Sequence, residues 1–233
     1  MANKVIWFDG SNIFVIRKGK TTNEKISEGR DKIVQTYTFS YDQWVYANNV
    51  ANKSMKDFFK LDASNCLDCP FSGSTGNAGC YTHKFNQYVG FISMLKSIKQ
   101  SDLTMYNQTK HDDVVALSKN VFIRFGTYGE PSLIPLQLIS DMANVANNWT
   151  GYTHQSGKAW ASDYKDFFMA SLETATEQSD WRAFRVLTDV KVDTNSIQCP
   201  ASKEAGYKSN CAKCGLCSGL LGKGTKDVKI TNH

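Results

Sequence analysis

The sequence predicts an α/β protein in which a small N-terminal antiparallel sheet precedes a partial, open parallel β/α barrel with cysteine-rich loops. Three observations lead to this prediction: two β-rich runs flank a turn near the start, strand-like and helix-like segments alternate from 121 to 187, and the seven cysteines form two spaced groups. Strand–helix–strand succession is typical of parallel sheets with right-handed crossovers. We therefore expect an N-terminal part at 1–60, a barrel-like part at 61–190 and a cysteine-rich extension at 191–233.

The N-terminal segments predict a hairpin, a third strand and a helical region. Runs 4–8 and 13–17 are rich in β-branched and aromatic residues and flank an Asp-Gly turn. Residues 34–39 alternate apolar and polar side chains, as a half-buried strand does. Residues 41–60 carry aromatic side chains that we interpret as core positions of helices.

The rest of the chain alternates between helices and strands. Apolar periodicity predicts, in order, helix 87–100, strand 121–125, helix 135–147, strand 150–154, strand 167–171, helix 173–179 and strand 181–187. Residues 101–112 are polar, and we interpret them as a connection. Because these units are too few for a complete eight-stranded barrel, an open or partial barrel is expected.

Composition and charge restrict the class of protein. Of the 233 residues, 41% are hydrophobic and 21% are charged, and the formal net charge is +5. Mild basicity is compatible with an anionic partner, either a small molecule or a nucleic acid. We find no apolar run of spanning length and no signal-peptide pattern, so we expect no membrane partner and a cytoplasmic location. Thiols stay reduced there, and an odd number of cysteines argues further against a disulfide framework.

The clearest chemical pattern lies near the C-terminus. Cys211, Cys214 and Cys217 are three residues apart, and Cys199 lies one loop earlier. A Cys-x-x-Cys turn can direct two sulfurs at one metal ion, and four soft thiolates suit zinc or an iron–sulfur cluster. The spacing therefore predicts a metal site and leaves the choice between iron and zinc open.

A second group of cysteines lies in the first half of the chain. Cys66 and Cys69 are followed by a loop rich in glycine and serine that can bring Cys80 back to them. Two interpretations remain open. Either His83 completes a tetrahedral zinc site with the three cysteines, or the three cysteines hold an iron–sulfur cluster with one iron open to a ligand.

Polar residues follow or interrupt the predicted strands of the barrel. Ligands of parallel α/β sheets bind beyond the carboxyl ends of strands. The candidate cofactor-binding residues at the first such end are Gly126, Tyr128, Gly129 and Glu130. We take Glu130, His154 and Arg185 as candidate catalytic residues. Arg124 and Arg185 lie within strands, where a buried arginine needs an anionic partner, so a purely structural role is the alternative.

Several motifs resemble an uncharacterised family of cysteine-rich bacteriophage proteins. The matching motifs are Cys-x-x-Cys-Pro at 66–70, Cys-Tyr at 80–81, Arg-Phe-Gly-x-Tyr-Gly-Glu-Pro at 124–131, Gly-Tyr-Thr-His at 151–154, Met-Ala-Ser at 169–171, Arg-x-Phe-Arg-Val at 182–186 and the cysteine pattern of 199–217. The resemblance covers roughly residues 61–220. It implies a viral protein located in the host cytoplasm and implies no particular reaction.

The chain is also distantly similar to radical S-adenosylmethionine enzymes. The similarity lies in three cysteines early in a partial barrel, in Gly-Glu-Pro at 129–131 and in a cysteine-rich C-terminal extension. It implies that Cys66, Cys69 and Cys80 hold a 4Fe-4S cluster, that Glu130 lies near the amino group of S-adenosylmethionine, and that the C-terminal cysteines hold a second cluster. The sequence departs from the usual Cys-x3-Cys-x2-Cys spacing, because ten residues separate Cys69 from Cys80.

These observations leave three functional hypotheses. The first is an iron–sulfur enzyme with redox or radical chemistry on an unidentified substrate. The second is a zinc-stabilised module that binds nucleic acid. The third is a structural accessory protein whose metals only stabilise long loops, since metal binding alone can stabilise a small domain by about 10–16 kcal/mol.

Overall fold

A computed structural model describes residues 3–21, 23–28, 32–49, 51, 54–76 and 79–231. Within these ranges the chain forms two five-stranded sheets with helices interspersed between the strands. The first sheet is mixed and the second is entirely parallel. The described strands do not form a closed barrel. No helix in these ranges combines the length and the apolar character that crossing a bilayer requires.

The first sheet contains the predicted hairpin at one edge. Its strands, in spatial order, are β1 (Lys4–Phe8), β2 (Asn12–Gly19), β3 (Ile33–Ser40), β4 (Phe122–Tyr128) and β5 (Asn148–Thr150). The antiparallel pairing of β1, β2 and β3 confirms the prediction for the N-terminus. The turn closes because the Asp9 carboxylate accepts hydrogen bonds from the backbone N–H groups of Ser11 and Asn12, at 2.8 and 2.7 Å. The sheet then continues, since β3 pairs in parallel with β4, and β4 with β5.

The second sheet is built from short parallel strands. They are β6 (Tyr152–Thr153), β7 (Met169–Leu172), β8 (Ala183–Leu187), β9 (Ile197–Gln198) and β10 (Val228–Thr231), in the spatial order β6-β7-β8-β10-β9. The last strand of the chain thus lies between β8 and β9. Sequence periodicity predicted β7 and β8 but neither β9 nor β10, which are too short to show a pattern.

Gly151 joins the two sheets. It separates β5 from β6, its N–H donates to the Cys217 carbonyl at 3.0 Å, and its carbonyl accepts from the Met169 N–H at 3.0 Å. A Cβ at this position would lie 2.4 Å from the Phe168 ring, so no side chain fits. One continuous segment therefore ends the first sheet and begins the second.

Seven helices connect the strands. They are α1 (Tyr41–Asn49), α2 (Met55–Lys60), α3 (Ala63–Cys66), α4 (Phe85–Lys96), α5 (Gln108–Ser118), α6 (Leu136–Val145) and α7 (Cys211–Cys214), with short 3-10 turns at 73–75, 100–102, 131–133, 159–166 and 190–192 in the described chain. The predicted helices at 87–100 and 135–147 correspond to α4 and α6.

Two secondary-structure predictions were wrong. Residues 108–118, the first of which lie in the supposed connection, form α5. This helix is polar at its start, where Asn107 caps it by accepting from the Lys110 N–H, and it buries only a few side chains such as Val114 and Leu117. The expected helix at 173–179 is absent, because the Arg185 guanidinium binds backbone carbonyls of this segment and holds it in bends.

The mixed sheet has a core on each face. One core packs α5 and α6 against residues such as Trp7 and Phe14, whose rings stack at 4.8 Å. The other packs α1 and α4 against residues such as Phe39. Each fully buried side chain of this size contributes roughly 1.5–3 kcal/mol, so both cores form without help from either cysteine group.

Candidate functional site

Four parallel strands end at one edge of the molecule, and the polar residues that follow them meet there. The strands β3, β4, β6 and β7 run in the same direction, because β5 and β6 are parts of one segment. Glu130 follows β4, His154 follows β6 and Glu173 follows β7. The loop that carries the first cysteine group follows β3 after α1, α2 and α3. This edge is the expected place for a ligand of a parallel sheet.

A chain of hydrogen bonds links a cysteine, a histidine and a glutamate at this edge. Cys69 Sγ lies 3.4 Å from His154 Nδ1, and His154 Nε2 lies 3.2 Å from Glu173 Oε1. Burial lowers the pKa of His154, but its bonds to Cys69 and Glu173 outweigh this effect and raise the pKa to about 10. The contact joins residues 85 positions apart in the sequence. Glu173 was not among the predicted site residues, although its place directly after a predicted strand was a usable signal.

In the first cysteine group, the pKa values of Cys66 and Cys80 are raised. Burial raises the pKa of Cys66 well above its usual value, and nearby Asp62, Cys69 and Cys80 raise it further. Burial also raises the pKa of Cys80, whose sulfur lies 3.0 Å from the Thr82 hydroxyl. The Cys66 and Cys80 thiols are therefore neutral at physiological pH unless a cation stabilises the thiolate form.

His83 lies apart from these thiols in its contacts. Its ring stacks on Phe59 with centroids 4.0 Å apart, and its Nε2 faces Asp62 Oδ2 at 3.7 Å. His154, rather than His83, is the histidine whose ring nitrogen meets a sulfur of the first group.

Glu130 is buried and held firmly. Its carboxylate accepts from the backbone N–H and the hydroxyl of Ser132, at 3.0 and 2.7 Å. Its own N–H donates to the Asn65 carbonyl at 2.7 Å. Burial raises the pKa of Glu130, although hydrogen bonds from Ser132 and Thr153 oppose the shift. Gly129 lets the backbone just before Glu130 pass close to β3, because a Cβ there would lie 2.5 Å from the Thr38 carbonyl oxygen.

Gly126 and Tyr128 have packing partners within the first sheet. The Tyr128 hydroxyl accepts from Gln43 Nε2 at 2.6 Å, and its ring lies in the aromatic cluster beside Phe91 at 4.7 Å. The Gly126 N–H donates to the Thr36 hydroxyl at 2.8 Å, and its φ of +63° favours glycine.

Arg185 contacts the segment that carries Glu173 and not the cysteines. Its guanidinium donates to the carbonyls of Thr174 and Glu177, each at 2.9 Å. It also lies 3.3 Å from Asp227 and 3.8 Å from Asp193. Arg185 therefore has the carboxylate partners of a structural arginine and fixes the loop after β7.

The second cysteine group packs against β6 and β10, where Cys199 and Cys217 share a cluster with Val228 and Ile230. Cys199 and Cys217 are buried, and burial raises the pKa of Cys217 although the Tyr152 side chain opposes the shift. Burial, with smaller contributions from Cys199 and Cys214, raises the pKa of Cys211 to about 11 although Arg124 opposes it. The backbone N–H of Cys211 donates to the Lys25 carbonyl at 2.9 Å, which ties this group to the loop between β2 and β3.

Neither group is arranged as a finished metal site. All seven cysteines are described and free of disulfides. Among the described residues, no three or more Cys, His, Asp or Glu side chains are placed so that they could hold a metal ion. The soft sulfur donors suit zinc or iron, and binding of either would have to draw the thiols of each group together and release their protons.

Comparison with protein-family models, with curated proteins and with solved structures finds no match to this chain. Its function therefore has to be inferred from the site itself.

Proposed function

We propose that this chain is a metal–thiolate protein, specifically an iron–sulfur protein with redox or radical chemistry on a partial β/α barrel. In this proposal Cys66, Cys69 and Cys80 hold one 4Fe-4S cluster. The second cluster is held by Cys199, Cys211, Cys214 and Cys217. S-adenosylmethionine is the proposed ligand of the first centre, by resemblance alone.

One observation carries the proposal. Cysteines from one loop meet Glu130 and His154, which come from two other loops, at the carboxyl edge of parallel strands. Burial and neighbouring negative groups disfavour the thiolates of Cys66 and Cys80, and a bound cation would reverse both effects. A metal that drew Cys66, Cys69 and Cys80 together would therefore explain why thiols and polar groups are placed at this edge.

The continuity at Gly151 supports the barrel part of the proposal. Six strands, β3, β4, the β5–β6 segment, β7, β8 and β10, follow one another in parallel once the two sheets are joined there. Because core residues cover both faces of the first sheet, we place the substrate at the carboxyl edge of these strands, beside Glu130 and His154.

The chain's own residues have distinct roles in this proposal. A cluster with one open iron supplies one-electron chemistry when it is bound. Glu130, fixed by Ser132, presents a carboxyl group to a cationic part of the ligand. His154 positions the Cys69 sulfur and holds a proton on its imidazole. Arg185 keeps the Glu173 loop in place.

Metal analysis of protein purified without oxygen tests this proposal. We expect iron and sulfide at both sites, with roughly half of the iron lost when Cys66, Cys69 and Cys80 are all changed to serine. The matched variant changes the four C-terminal cysteines instead and should lose the other half. Colourless protein with stoichiometric zinc would contradict the iron–sulfur proposal and favour the zinc-stabilised nucleic-acid-binding or structural alternative.

The Cys69–His154–Glu173 chain favours a second candidate function, a thiol-dependent hydrolase or transferase. With Nε2–H donating to Glu173, the His154 imidazolium donates its Nδ1–H to Cys69 and stabilises the thiolate. Sγ then attacks a carbonyl carbon, the bond from that carbon to the leaving group breaks, and the leaving group departs with the Nδ1 proton. Iodoacetamide labelling separates the candidates: a nucleophilic Cys69 should react at least about tenfold faster than Cys66, and His154→Ala should abolish the difference. Equal labelling of the two cysteines in metal-free protein would remove this candidate.

A further inference from the structure

Arg124 is a positively charged side chain in β4, on the face of the first sheet that also carries Tyr37. It is partly buried in β4, and its Nη2 donates to the Tyr81 hydroxyl at 2.8 Å. In the described part of the chain, no carboxylate oxygen lies within 4.0 Å of this guanidinium. A guanidinium carries five N–H donors, and among the described residues only the Tyr81 hydroxyl accepts a hydrogen bond from the Arg124 side chain.

A second arginine lies in the same row of the sheet. Strand register places Arg17 opposite Gln35, and Gln35 opposite Arg124. Laterally paired residues point to the same face, and two strand spacings put the Cα atoms of the arginines about 10 Å apart. Burial raises the pKa of Tyr37, which lies on the same face, and the charges of both arginines act to lower it. Together they form a concentrated positive field at one place.

The groups around Arg124 are aromatic or sulfur-bearing. Its guanidinium lies 5.6 Å from the centroid of the Tyr81 ring, and Tyr152 and Cys211 are close enough to interact with its charge. Tyr81 directly follows Cys80 in the sequence. Arg124 therefore lies between the two cysteine groups. The Tyr81 side chain is 57% exposed, which leaves an approach from solvent.

We propose that Arg124, assisted by Arg17 and the Tyr81 hydroxyl, binds an oxyanion group of the carboxylate or phosphate type on a small molecule. The planar fork of a guanidinium matches the two oxygens of such a group. The Tyr81 hydroxyl now donates to the Thr127 carbonyl at 3.5 Å, and in the proposed complex it turns this proton to the anion. Arg124 is partly buried, which reduces competition from water at its guanidinium and strengthens the interaction. This site goes beyond the proposed metal centres and does not require either of them to be occupied.

Calorimetric titration with inorganic phosphate, and separately with acetate, tests this site in metal-loaded and metal-free protein. We expect at least one of these anions to bind, with affinity that falls as ionic strength rises. Arg124→Gln should weaken binding roughly tenfold or more, which is the loss expected for a charge-assisted hydrogen-bonded pair. Arg124→Lys should keep part of the affinity, and Tyr81→Phe should reduce it severalfold.

Lys18→Gln is the matched control. It removes one positive charge next to Arg17, but alternation along β2 places Lys18 on the opposite face of the sheet. This variant should bind as the wild type does. If Arg124→Gln fails to fold by circular dichroism, Arg124→Lys and Tyr81→Phe still decide the outcome.

Three results would overturn the proposal. They are no anion binding by the wild type at millimolar concentration, equal binding by the Arg124 and Lys18 variants, and loss of metal from Arg124→Gln with its anion affinity unchanged. The last result would show that Arg124 balances the charge of a thiolate-bound metal instead. Failure to find any metal would leave the anion measurement valid, so the two proposals fail separately.

Discussion

Asp62 organises the loop of the first cysteine group at the level of a single side chain. It is fully buried, and its two carboxylate oxygens accept from the N–H groups of Gly73 and Ser74, at 2.9 and 3.0 Å. Burial acts to raise the pKa of Asp62, but the nearby His83 ring and the hydrogen bonds from the Gly73 and Ser74 N–H groups outweigh it and lower the pKa from its ordinary value of 3.8. The folded protein therefore favours the ionised carboxylate.

This shift predicts an acid-dependent loss of stability. Because the folded pKa is lowered, the contribution of Asp62 is complete above the unfolded value of 3.8 and is lost as pH falls through the folded pKa. We expect Asp62→Asn to lower the free energy of unfolding by roughly 1.5–3 kcal/mol at pH 7, since charge-assisted hydrogen bonds to backbone N–H groups are lost. Urea titrations at pH 7 and pH 3 measure the effect, which should shrink at the lower pH.

Asp57→Asn is the control for this measurement. Asp57 is exposed, and its side chain forms a surface ion pair with Lys60, so its replacement should change stability by less than about 0.5 kcal/mol at either pH. An effect of Asp62→Asn that is equally large at pH 3 and pH 7 would show that shape, and not charge, explains the role of this side chain.

At the scale of elements, Arg182 holds the C-terminal segment against β8. Its Nη2 donates to the carbonyls of Leu216 and Lys226, at 2.8 and 2.7 Å, and its Nη1 contacts the carbonyls of Ser218 and Gly219. This one guanidinium satisfies backbone acceptors on both sides of the turn that separates the second cysteine group from β10. The position of Cys217 therefore depends on an arginine far from it in sequence.

We expect Arg182→Met to release this segment. The substitution leaves buried carbonyls without a donor, so the free energy of unfolding should fall by at least about 2 kcal/mol. Limited proteolysis should cut within 199–226 sooner than in the wild type, and the share of metal bound by the C-terminal group should fall. Lys226→Gln removes an exposed charge nearby and should match the wild type. Unchanged proteolysis of Arg182→Met would mean that the segment is held by other contacts.

At the scale of the whole molecule, the apolar cores and the cysteine groups are separate sources of stability. The two large cores flank the mixed sheet and include none of the seven cysteines. Cys199 and Cys217 belong instead to a smaller cluster with Met169, Val228 and Ile230 in the second sheet. The metal binding that we propose would therefore affect the second sheet and the edge loops more than the first sheet.

Removal of metal should accordingly loosen the protein without unfolding it. We expect chelator-treated protein to keep most of its far-ultraviolet circular dichroism and to lose at least about 5 °C in melting temperature, since metal that binds only the folded state stabilises it. Amide hydrogen exchange should increase in 199–226 and in the loop around Cys66, and should change little in β2 and β3. Complete unfolding on chelation would contradict the independence of the two cores.

The segments that could be predicted are those whose local pattern matches their final environment. The hairpin, β3, β4, β8, α4 and α6 have recognisable apolar patterns, because the helices bury one side against a core and the central strands of the first sheet are buried on both sides. Helix α5 could not be recognised, since it is polar and gains its stability by packing on the mixed sheet. The helix predicted at 173–179 does not form, because Arg185, which lies outside this segment, binds its backbone carbonyls.

For the candidate site, cysteine spacing alone indicated two groups of thiols, and strand ends indicated Glu130 and His154. Spacing could not show that His154 meets Cys69, that Glu173 supports it, or that Arg124 lies between the groups. These contacts depend on which strands become neighbours, and parallel pairing joins segments that are far apart along the chain. Residue type is readable locally, whereas proximity across parallel strands is a property of the folded molecule.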